Sequence, residues 1–171
     1  NDATGIISAD RHLSLIVGSD FNNYGWISSK QNSVVRVAGA LHNYNTISAD
    51  NTLEVDTTGT LTNEKDIAAG TVLYVESEDN VVNSSKGNLV GSSAFIKSAL
   101  DMTNYGNVVA WDYLDVNAGR TIYNYKNIYT EGNAVITSKL IHNSGANAVL
   151  GGERGLVLNT AQLTGTGTIV G

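Results

Sequence analysis

The sequence contains no cysteine and no proline. Without thiols there is neither a disulfide framework nor a thiolate metal site, and the redox compartment is left open. Without proline, chain reversals rest on Gly, Asn and Asp, and the composition supplies them with 18 glycines and 20 asparagines in 171 residues. Charge is sparse, at 15% of positions, and the formal net charge is −6. Scattered, acidic charge excludes a nucleic-acid groove, which needs a concentrated positive field. No apolar run approaches the roughly 18 residues that span a membrane as a helix. The first residues show no signal-peptide pattern. A chain of this length makes one ordinary domain or one repeat array.

What is present is periodic. An apolar residue, any residue and then asparagine recur as Phe21-Asn22-Asn23, Leu41-His42-Asn43, Leu61-Thr62-Asn63, Val81-Val82-Asn83, Met102-Thr103-Asn104, Ile122-Tyr123-Asn124 and Ile141-His142-Asn143. The asparagines are 20, 20, 20, 21, 20 and 19 residues apart, and Leu163-Thr164-Gly165 follows 22 residues later with Gly in place of Asn. Six residues after Phe21, Leu41, Leu61, Met102, Ile122 and Leu163 stand Ile27, Ile47, Ile67, Val108, Ile128 and Ile169. A third column holds alternating pairs: Leu13 and Leu15, Val35 and Val37, Leu53 and Val55, Leu73 and Val75, Leu114 and Val116, Ala134 and Ile136. Alternation by two puts each pair on one face of a strand and sends Ser14, Arg36, Glu54, Tyr74 and Asp115 to solvent.

Each row thus predicts three short strands. No segment keeps the i, i+3, i+4, i+7 spacing of an amphipathic helix, and an antiparallel sandwich gives no reason for one triplet to recur every 20 residues. A coil of a parallel β-helix does, because equivalent residues stack about 4.8 Å apart. The sequence therefore predicts an all-β, parallel β-helical solenoid of about eight coils of about 20 residues, rising on the order of 38 Å. The general preference of parallel crossovers favours right-handed winding. Stacked Asn23, Asn43, Asn63, Asn83, Asn104, Asn124 and Asn143 would donate and accept in turn, forming a structural ladder. Two stretches fall out of step. Leu89 follows Asn83 by six residues instead of four, which suggests a bulge around Ser84-Ser85-Lys86-Gly87, after which Phe95-Ile96-Lys97 fits the alternation poorly. The stretch from Ser144 to Leu158 is irregular as well.

Side chains that carry chemistry are few. Tyr24, Tyr44, Tyr105 and Tyr125 each follow a column asparagine and should stack as two pairs, interrupted by Glu64 and Ser84. Such rows either hold a ligand or simply shield a turn. Trp111 and Tyr113, with Tyr123 and Tyr129 in later strands, form a second aromatic concentration, which is either a partner contact or ordinary surface variation. Asp56 and Glu76 occupy equivalent places of adjacent coils, near Glu78 and Asp79, and paired acids serve glycoside hydrolysis or cation binding. No Arg/Lys cluster and no calcium-loop spacing accompanies them, and Arg36 reads as a cross-coil partner of Glu54. His12, His42 and His142 are too far apart to share a metal, and no nucleophile constellation or phosphate loop occurs. No catalytic, metal or cofactor site is expected, and the chain reads as a non-enzyme.

The combination of the apolar-x-Asn triplet, a short turn, Ile47-Ser48-Ala49 or Ile67-Ala68-Ala69, and an alternating strand resembles a known family. Ile7-Ser8-Ala9 fits the same pattern and Leu89-Val90-Gly91 departs from it. The resemblance, from roughly Ile7 to Ile169, is to the haemagglutinin-type repeats of filamentous haemagglutinin and related Gram-negative exoproteins, contact-dependent inhibition toxins among them. It implies a secreted, right-handed β-helical filament at the bacterial cell surface, exported by two-partner secretion through an outer-membrane transporter. The implied role is that of a rigid stalk and adhesive segment that presents or delivers other domains and contacts proteins or glycans on host or neighbouring cells. Neither the family's export module nor a toxin domain is recognisable, so residues 1–171 read as one interior segment of a larger protein. Open solenoid ends would favour end-to-end self-association. The alternative from another class is a polysaccharide-binding or polysaccharide-degrading β-helix.

Overall fold

A computed structural model describes residues Asn1–Gly171. It contains 23 strands and no helix. One regular coil shows how the sequence builds the rest. Thr46–Ala49, Thr52–Thr57 and Leu61–Asn63 are three short strands, ended by the turn formers Asp50-Asn51 and Thr58-Gly59. Alternation buries Ile47, Leu53, Val55 and Leu61 completely. The chain then turns through Asn63 and begins the next coil.

Strands pair in parallel with their counterparts in neighbouring coils, on both sides except in the first and last coils. On the first face, Ile7, Ile27, Ile47, Ile67, Leu89 and Val108 stand in one register. On the second, Leu15, Val35, Val55, Val75, Ile96 and Val116 do the same. The third face aligns Phe21, Leu41, Leu61, Val81, Met102, Ile122, Ile141 and Leu163. The three inward columns meet in a single cluster of 29 buried apolar residues. At about 1.5 to 3 kcal/mol per fully buried aliphatic side chain, this filling is the main stabilising term. At the margins the same columns are less covered: Phe21 is half-buried and Leu163 is 43% exposed.

The structure corrects three local readings. Leu13 pairs with Ser33, not Val35, so Val35 and Val37 continue Leu15 and Val17. Ser33 is fully buried in the apolar column and its hydroxyl bonds to Ser29 at 2.8 Å. The expected cross-coil pair of Arg36 with Glu54 forms, and the same shift sets Arg36 opposite Asp56, which its guanidinium also reaches. Phe95-Ile96-Lys97 follows the alternation, with Ala94 and Ile96 buried and Phe95 and Lys97 outside. In two coils the first and second faces are joined by one continuous strand, Asn88–Ser98 and Asn107–Ala118, instead of two short ones.

The irregular spacings have structural causes. Ser84 to Gly87 form a turn closed by Gly87 N–H to Ser84 C=O at 2.8 Å. Two residues longer than its counterpart, it shifts the pairing from Asn63↔Asn83 to Asp66↔Asn88. The following corner is one residue shorter, which the pairing registers between Gly91 and Ser93. A Cβ at Gly91 would lie 2.5 Å from the Ser93 carbonyl oxygen, so the tightened corner requires glycine. An addition of two and a loss of one account for the 21-residue interval between Asn83 and Asn104. Ser144 to Ala148 form a second enlarged turn, containing Gly145 at φ 128°.

Candidate functional site

The third face delivers its asparagines to one interior corner. Asn23, Asn43, Asn63, Asn83, Asn104 and Asn124 have no exposed surface, and Asn143 has almost none. Each amide nitrogen points to the amide oxygen of the next coil, from Asn23 Nδ2 to Asn43 Oδ1 at 2.8 Å through Asn124 Nδ2 to Asn143 Oδ1 at 2.8 Å. Asn1, which the triplet spacing does not reveal, heads the series with a 2.8 Å bond to Asn23. The nitrogens also reach backbone carbonyls. Asn63 Nδ2 contacts Lys65 O in its own turn and Asn88 O in the next coil. Two amide protons are therefore shared among three acceptors, and the side chain ties turn to turn as well as coil to coil. Gly165 ends the series for steric reasons: its φ is 107°, and a Cβ there would lie 2.0 Å from Asn143 O.

A second row of the same chemistry lies outside. Asn88, Asn107 and Asn127 each donate to the residue of the preceding coil, ending on the Asp66 carboxylate, at 2.8, 2.8 and 3.0 Å. These side chains are half-buried at the start of the first-face strands. The longer turn at Ser84–Gly87 separates Asp66 from Asn88 by 22 residues and hides the row in the sequence.

The tyrosines that follow the inner asparagines form two stacks. Tyr24 and Tyr44 lie 4.3 Å apart and Tyr105 and Tyr125 lie 4.9 Å apart, each pair within 7° of parallel. Glu64 and Ser84 occupy the coils between. Each stack carries a histidine: His42 lies flat on Tyr44 at 3.8 Å with Nε2 3.3 Å from Glu64, and His142 meets Tyr125 edge-on. The second aromatic concentration dissolves. Tyr123 packs edge-on against His142, and Tyr129 bonds to Glu153, which pushes its phenol up to about 12. Trp111 stands at a corner, 47% exposed, outside every aromatic pair. Tyr113 instead packs against Phe95 at 5.7 Å, and Phe95 stacks on Tyr74 at 5.1 Å.

Tyr74 and Phe95 of this series line a groove of about 870 Å³ along the second face. Two outward columns build it: Glu54, Tyr74, Phe95 and Asp115 in one, and Arg36, Asp56, Glu76 and Lys97 in the other. The basic residues are scattered in the sequence, and the coil period gathers them here. Arg36 bridges Glu54 and Asp56, and Lys97 binds Glu76 at 2.6 Å. Partial burial pushes the Asp56 carboxyl above its usual range, and the adjacent Glu54 adds to this against the opposing pull of Arg36. Burial alone raises the carboxyl of Asp115. The Asp56 and Glu76 positions are paired as the spacing implies, yet each acid is engaged by a cation. No group of three His, Asp or Glu side chains is arranged to hold a metal ion, and no helix is long and apolar enough to cross a membrane.

No curated protein and no solved structure matches the chain. Family comparison gives three consecutive matches to the haemagglutinin repeat, over residues 1–45, 45–93 and 92–170. That family is a structural and adhesin family of secreted surface exoproteins. With its repeats following one another along nearly the entire stack of coils, the chain belongs to the haemagglutinin repeat family.

Proposed function

We propose that the chain is a rigid β-helical stalk and adhesive segment, one interior part of a larger bacterial surface exoprotein that presents or delivers other domains. Export of that larger protein through an outer-membrane transporter goes with this reading. The observation that carries it is the uninterrupted amide series from Asn1 to Asn143, which locks each turn to the next. Bending or separating coils breaks backbone pairing on three faces together with these side-chain bonds. Single-molecule pulling of the chain between handles tests the role. Asn63→Ala should lower the unfolding force well below that of Thr62→Ala, and equal forces would remove the amide series as the mechanical lock.

Contacts with a host or neighbouring-cell protein or glycan belong on the tyrosine stacks. Tyr105 is 46% exposed, and the pair with Tyr125 offers rigid aromatic area with hydroxyls. This observation also supports the second reading, a polysaccharide-binding β-helix. Glycan-array and cell-binding assays with the Tyr105→Ala/Tyr125→Ala double variant separate a binding role from turn shielding. Loss of binding at unchanged stability supports contact, and unchanged binding removes it.

A further inference from the structure

We propose that the second-face groove docks an extended, cationic peptide segment of a partner protein, with one arginine or lysine head group seated on Asp115 and its stem against Phe95. The chain itself shows how this surface takes cations. Arg36 lies across Glu54 and Asp56, and Lys97 lies on Glu76. Asp115 continues the outward column of Glu54, Tyr74 and Phe95. It has no ion pair and no hydrogen bond, although it is half-buried and accordingly less hydrated than a free carboxylate. Its flanking positions, Asn117 on its own strand and Val135 on the next, are neutral. The cation that Glu54, Asp56 and Glu76 receive from within the chain is missing at Asp115, and a guanidinium or ammonium from outside restores it.

The remaining features select the partner. Five carboxylates line the groove against the two cations Arg36 and Lys97, so its field attracts positive charge. Phe95, the half-buried neighbour of Asp115 in the same outward column, offers apolar surface to the methylene stem of Lys or Arg. A sugar ring is less well served, because Tyr74 and Phe95 turn their faces to one another at 16°. The groove runs from Ile16 to Asn117 across six coils, about 24 Å at the spacing of paired strands, which an extended peptide of about seven residues covers. A metal ion alone would need a convergent ligand set, and none is present.

The test uses the full chain and an alternating arginine–alanine octapeptide with blocked termini, titrated at low salt and followed by amide chemical shifts. Saturable shifts centred on Phe95, Asp115 and Asn117 are expected, with affinity falling about tenfold in Asp115→Asn. Glu131→Gln, at an exposed acid of another corner, should leave the affinity unchanged. Phe95→Leu gives a second readout, a smaller loss with all charges retained. Equal losses in Asp115→Asn and Glu131→Gln would reduce the effect to general charge attraction and overturn the proposal. An absence of saturable peptide binding would overturn it too, as would chitohexaose shifting the groove residues where the peptide does not.

Discussion

The inner and outer asparagine rows use the same side chain and nearly the same bond length, yet they lie in different solvents. Asn63 is fully buried, and its amide nitrogen serves Asn83, Lys65 and Asn88 together. Asn107 is half-buried, and its nitrogen serves Asn88 alone. Bond length along the row therefore does not separate the two. What separates them is what replaces a lost bond: water reaches the outer row, whereas inside it the abandoned carbonyls have no substitute.

The strongest way to break this comparison is Asn63→Asp, which keeps the shape and removes the donor. The charge it introduces is surrounded by oxygens, and we expect a loss of about 4 kcal/mol or more at pH 7 in urea unfolding. Burial raises the folded-state pKa of the new carboxyl, so the penalty is fully present at pH 7 and shrinks as pH falls toward 4. A pH-independent deficit would contradict a dry interior row. Next comes Asn63→Ala, with a loss of about 2 to 3 kcal/mol, against about 0.5 kcal/mol or less for Thr62→Ala on the outward side of the same strand. Equal melting of these two variants would erase the distinction. Asn107→Ala in the outer row should cost about 0.5 to 1 kcal/mol, because water satisfies the released groups.

The smallest effect is expected at Asp115, an outer acid without a partner. Burial raises its carboxyl above the ordinary value of 3.8, so its contribution favours the fold below that pH and is lost as pH rises through the folded-state value. Asp115→Asn should therefore melt slightly higher than the parent at pH 7, by about 1 to 2 °C, with the gap closing near pH 3. A destabilised Asp115→Asn at pH 7 would show that the carboxylate has a structural role.

The stacking period was legible because apolar residues, asparagines and turns recur together at Phe21, Leu41, Leu61 and their successors. It failed locally where an inward position carries a polar residue. Ser33 in the place of Leu13 and Leu53 moved the apparent pair to Val35 and Val37 and displaced one strand by two residues. Compensating changes in turn length hid more. The longer turn after Asn83 and the shorter corner after Gly91 separated Asp66 from its outer row and obscured the meeting of Tyr113 with Phe95. The groove draws its acids, cations and rings from separate coils, and only the register between Glu54, Tyr74, Phe95 and Asp115 assembles them.

The inner amides also give the rod a sense of direction. Throughout the series nitrogen faces forward along the chain and oxygen faces back. A coil laid down after its predecessor meets donors already aimed at it, whereas an inverted coil would oppose like poles. The stack is thus polar, and its direction is written into the side chains as well as the backbone.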